Sequence, residues 1–179
     1  MPVCESVQKS SRFAMLERGK SNLIEHKQAA ILDPASNQVI EVDEGIAPLL
    51  QAIWNSGITT CNSCQENKPG IIWIEFQAPG DAEAFLTRVI SGLDPINSPD
   101  AGDWLYSRII GANGGWHYTA HPHDAREYID EEKGTMELNS SESCGIALSI
   151  SIRFPVGDYE RVCDLVGRQL QSAIAAAGL

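Results

Sequence analysis

The stretch from Asp43 to Phe76 restricts the folds open to this 179-residue chain more than any other. Ile46, Leu49, Leu50, Ile53 and Trp54 recur at the spacing of one helical face. Asp43 is placed to cap that helix. Pro48 lies near its first turn, where the missing N–H costs little, and Gly57 is placed to close it. A strand over 58–63 should follow, then a polar loop Gln65-Glu66-Asn67-Lys68-Pro69-Gly70, then a strand over 71–76. In the second strand Ile72, Ile74 and Phe76 share one face, and Ile71, Trp73 and Glu75 the other, as in a strand central to its sheet.

The same pattern extends outward. Residues 29–32 and 39–42 flank Asp33-Pro34-Ala35-Ser36-Asn37, turn formers that predict a hairpin. Ala82, Phe85, Leu86, Val89 and Ile90 predict a second helix capped by Asp81 and ended by Gly92. Residues 93–103 predict a surface loop. Residues 104–110 and 116–120 around a glycine-rich turn predict another hairpin, and Asp124 to Lys133 a short acidic helix. Residues 135–143 are polar and patternless. From Cys144 to Phe154, Ile146, Leu148, Ile150, Ile152 and Phe154 alternate with small or polar residues and Arg153, which is the clearest strand. A last helix should begin at Asp158 and bury Val162, Leu165, Val166 and Leu170.

From Val39 to Ile110 this gives the βαββαβ order of a ferredoxin-like unit. The expected class is α+β, a mostly antiparallel sheet with helices on one face. Residues 1–25 form a polar N-terminal arm and 26–179 a single α+β domain. The chain carries 24 acidic and 13 basic side chains, a formal charge of −11. That argues against broad nucleic-acid binding, which needs a basic footprint, and suits a small ligand in a local basic pocket or a basic protein partner. Five cysteines without a dense framework favour a reducing compartment, and no stretch reaches membrane-spanning length, so a cytoplasmic setting is expected.

Four groups of residues could carry chemistry. Cys61 and Cys64 have the CxxC spacing of metal or redox pairs, but a spacing of three on a strand turns them to opposite faces. His117, His121 and His123 share a face of one strand, with Pro122 ending it or placing it at a sheet edge. Cys64 with His121 or His123 and Asp124 has the composition of a nucleophile arrangement, without an oxyanion-forming glycine motif. Trp73 and Trp116, near Arg108 and Arg153, are candidates to stack on a planar base.

Several of these segments carry a resemblance. Asp43, Ala47-Pro48-Leu49-Leu50, Ile53-Trp54, Gly57-Ile58-Thr59-Thr60 and Ser63-Cys64-Gln65-Glu66-Asn67 resemble an uncharacterised family of small bacterial and phage-borne proteins. Trp73 to Phe76, Ala82 to Leu86, His121 to Asp124 and Arg153 to Pro155 extend it. The resemblance implies a phage-related setting and names no reaction.

The expected function is non-catalytic: binding of a small, nucleotide-like ligand, or inhibition of a protein through the acidic 124–142 segment. The ligand face would gather Ser63, Cys64, Glu66, Asn67, Trp73, Trp116, His121, His123 and Arg153, with no metal or cofactor assigned. The exposed aromatic face is also a possible homodimer contact. The alternative is a metal- or thiol-dependent enzyme using Cys61, Cys64, His117, His121 and His123.

Overall fold

The computed structural model describes residues 25–93, 99–111, 115–124, 127–130, 135–138 and 145–177. Outside them lie nearly all of the N-terminal arm, residues 94–98 of the 93–103 loop, the centre of the glycine turn, and residues 125, 126, 131–134, 139–144, 178 and 179.

Strands β1 (Gln28–Asp33) and β2 (Gln38–Asp43) form the expected hairpin, a two-stranded antiparallel ribbon. Asn37 takes the left-handed conformation at φ 57°, and the Asp33 carboxylate accepts from Ala35 N–H and Ser36 Oγ–H. Ala29, Ile31, Ile40 and Val42 turn inward, and Gln51 Nε2 donates to the Leu32 carbonyl, tying the ribbon to the next helix.

Helix α1 (Ala47–Asn55) buries Leu49, Leu50, Ile53 and Trp54 as the periodicity predicts. Asp43 is not its side-chain cap: Ile46 holds the N-cap position, and the Asp43 carboxylate is engaged elsewhere. Pro48 in the first turn already removes one of the donors a cap would satisfy. Gly57 closes the helix at φ 77°.

Strands β3 (Thr60–Lys68) and β4 (Ile71–Phe76), β5 (His117–Asp124) and the long strand running Ile146–Pro155 make a four-stranded antiparallel sheet. Between β5 and that long strand lies the small hairpin of β6 (Glu127–Asp130) and β7 (Thr135–Leu138), so the long strand is β8. The order across the sheet is β3-β4-β8-β5. Ile72, Ile74 and Phe76 lie opposite Phe154, Ile152 and Ile150, a continuous apolar face. Onto it pack α1, α2 (Pro79–Ser91) and α4 (Tyr159–Ala177) through Phe85, Val89, Val162, Leu165 and Val166. The fold is α+β with helices on one sheet face.

The expected ferredoxin-like order is not what these residues form. The 39–42 strand pairs with β1 in its own ribbon, and the 104–110 segment is helical: α3 (Pro99–Trp104) runs into a π-turn at Leu105–Ile109. Ala101, Trp104 and Ile109 are the buried positions, a helical stripe with one extra residue, whereas alternation would bury Trp104, Tyr106 and Arg108. Tyr106 is instead 68% exposed. Glu127–Asp130 is a strand where a helix was expected, and β3 continues through most of the expected 65–70 loop with a register shift between Cys64 and Lys68.

Candidate functional site

The sheet's second face follows directly from the period of two. Residues opposite one another in an antiparallel pair share a face, so Cys64, Trp73, Arg153 and His117 form one row across all four strands. Asn62, Glu75, Ser151 and Thr119 form the next, with Ser149 and His121 beyond it. Of the predicted site residues, Cys64, Trp73, His121, His123 and Arg153 thus lie on one face.

Hydrogen bonds knit the centre of this face. Trp73 Nε1 donates to Ser151 Oγ at 2.9 Å, and His121 Nε2 lies 2.9 Å from the same oxygen. Ser149 Oγ donates to Glu75 Oε1 at 2.6 Å. The Arg153 guanidinium carbon stands 5.5 Å from the Trp73 ring centroid, and Arg153 Nη1 lies 3.4 Å from Thr119 Oγ1. Among the described residues Arg153 has no carboxylate partner. Trp73 is only 7% exposed, so it is no open stacking platform; the group over its ring is the guanidinium of the half-buried Arg153.

Trp116 lies elsewhere. It is buried, stacked on Phe154 at 4.8 Å and edge-on to Trp104 at 6.0 Å. Its Nε1 donates to Asp158 Oδ2 at 2.9 Å, and Arg108 binds both oxygens of the same carboxylate. Ser63 pairs with Ile74 and so lies on the helix-covered side of the sheet. Glu66 Oε1 accepts from Gly70 N–H at 2.7 Å, bracing the β3–β4 turn, and Asn67 Oδ1 is buried without a partner among the described residues.

The cysteines part company. Cys61 sits at the register shift between Thr60 and Asn62, buried, its thiol 3.6 Å from the Glu75 carbonyl oxygen. Cys64 joins His26 and Asp43, a trio in which one donor atom from each residue lies within 4.8 Å of the others. Sequence reasoning missed His26 and Asp43 here: His26 falls at the edge of the polar arm, and Asp43 reads as a cap. Burial, reinforced by the Asp43 and Glu66 carboxylates, pushes the Cys64 thiol up to about 11. At neutral pH it is a thiol, a poor nucleophile.

The histidines of β5 cannot serve Cys64. β3 and β5 are opposite edges of the sheet, three strand spacings or about 14 Å apart. Pro122 lies in β5, an edge strand, where its missing N–H spares the ladder. The enzyme arrangement that would join Cys61 and Cys64 to His117, His121 and His123 is therefore held apart by the sheet. Among the described residues, those three imidazoles do not gather at ligand distance.

No helix among the described residues is long and apolar enough to cross a membrane. No protein-family model and no solved structure matches the chain. Over 140 residues, 74% of the chain, it is 30% identical to an uncharacterised protein of Acanthamoeba polyphaga mimivirus, and that match covers 64% of the viral protein.

Proposed function

We propose that this chain is a non-catalytic binding domain that takes a small anionic, nucleotide-like ligand on the second face of its sheet. The observation that carries this is Arg153. Its guanidinium rests on the Trp73 ring, and among the described residues no carboxylate neutralises it, in a chain whose formal charge is −11. A planar guanidinium held over an aromatic ring presents a preset fork of donors to a phosphate or carboxylate. His117, across the strand from Arg153, and His121, on Ser151, supply further polar contacts, while the acidic remainder of the surface repels extended polyanions. A phage-related, cytoplasmic accessory role accords with this activity.

The test is thermal unfolding with a panel of nucleoside mono-, di- and triphosphates and inorganic phosphate. A binder raises the midpoint with concentration, since only the folded state takes the ligand. Arg153→Ala should abolish that rise, with the ligand-free midpoint nearly unchanged. Absence of stabilisation by any of the panel, or stabilisation indifferent to Arg153, would reject the proposal.

A further inference from the structure

His26 precedes β1, Asp43 ends β2 and Cys64 lies within β3, so the ribbon laid beside the sheet edge brings an imidazole, a carboxylate and a thiol together. This donor set suits zinc, which takes nitrogen, sulfur and carboxylate oxygen at bond lengths of roughly 2.0–2.3 Å. Tetrahedral donors around such an ion stand about 3.4 Å apart, so closing a trio already within 4.8 Å requires only side-chain adjustments.

A second observation points the same way. Among the described residues His26 Nε2 is buried with no hydrogen-bond partner. The N–H of Gly45 donates to Gln65 Oε1 at 2.6 Å, which turns the amide NH2 of Gln65 toward His26 Nδ1 at 3.0 Å. Nδ1 is then the acceptor, and the proton of the neutral ring sits on Nε2, a buried donor that no described residue receives. Such groups are rare in folded proteins because nothing repays their lost hydration. An ion on Nε2 removes the problem.

We propose that His26, Asp43 and Cys64 form a divalent-metal site, zinc by its ligand chemistry, with a remaining position for water or an incoming ligand. On loading, Cys64 Sγ loses its proton to solvent and binds as thiolate. The imidazole stays neutral, with its proton now on Nδ1, and the Gln65 amide turns its oxygen to receive it, releasing Gly45. One proton leaves per ion bound. The site does not depend on nucleotide binding, and the ion is titrated with no nucleotide present.

Cobalt(II) added to chelator-treated full-length protein reports a thiolate ligand through near-ultraviolet charge-transfer absorption. One ion per chain is expected, with the absorption absent in Cys64→Ala and affinity at least about tenfold weaker in His26→Ala. A second arm needs no variant: zinc should protect Cys64 from alkylation in peptide mapping and leave Cys163 as reactive as before. No saturable absorption, an absorption that survives Cys64→Ala, or an unprotected Cys64 in zinc-treated protein would each overturn the site.

Discussion

Arg153 stands over Trp73 from the neighbouring strand, its guanidinium carbon 5.5 Å from the ring centroid, while the indole N–H beneath is committed to Ser151. The two residues therefore answer different questions when substituted. Arg153→Ala should cost at most about 1 kcal/mol, the value of a solvent-facing cation–π contact. Trp73→Ala removes a buried indole and should cost roughly 3–5 kcal/mol. Urea denaturation of both variants checks the difference, which makes Arg153 the cleaner probe of ligand binding.

Asp158 is 5% exposed and takes the Trp116 indole N–H together with two guanidinium nitrogens of Arg108. It fastens the π-turn and the start of β5 to the turn before α4. Asp158→Ala leaves the indole N–H buried without an acceptor and should destabilise the fold by about 2–3 kcal/mol. Asp158→Asn keeps an acceptor oxygen and should cost less. Equilibrium unfolding of the pair separates the hydrogen bond from the charge.

Tyr118 donates its hydroxyl to the Ile109 carbonyl at 2.8 Å, and burial pushes the phenol up from 10 to about 12. A raised acid is held protonated by the fold, so its contribution is complete below pH 10 and is lost as pH rises through about 12. Tyr118→Phe should lower stability by about 1 kcal/mol at neutral pH. It should also lose less stability than the parent between pH 9 and pH 11, in paired urea titrations at about those two values.

Gly45 is required by Gln65: a Cβ there would stand 2.5 Å from Gln65 Oε1. Because that atom ends a flexible side chain, Gly45→Ala should displace the amide at little cost to stability and release His26 Nδ1. Gln65→Glu offers oxygens to both the Gly45 N–H and an Nδ1–H, the carboxylate–histidine pairing that supports metal ligands. Zinc affinity of the Gln65→Glu chain, measured by competition with a chromophoric chelator, should exceed that of the parent. Equal or weaker affinity would count against Nε2 as the ligand.

The elements whose faces repeat locally were legible in the chain. Leu49, Leu50, Ile53 and Trp54 declare a helix and bury as read; the alternation through Ile152 and Phe154 declares a core strand, of which these two bury while Ile146 and Leu148 at its start stay exposed. That alternation also assigns Trp73 and Arg153 to the second face of their strands. It misleads from Trp104 to Ile110, where a π-turn adds a residue and no local period distinguishes it from a strand.

What the chain by itself determined was which side of each element is apolar, since side-chain period is a property of the backbone. Which elements become neighbours was decided only by the tertiary structure. Cys64 meets His26 and Asp43 because a separate ribbon lies against the β3 edge, and it is kept from His121 because β4 and β8 lie between. Asp43 has the sequence of a helix cap, yet its carboxylate accepts the Gln65 N–H, 22 residues on. Such contacts join residues far apart in sequence, and their geometry exists only once strand register and ribbon placement bring hydrogen-bonding partners into reach.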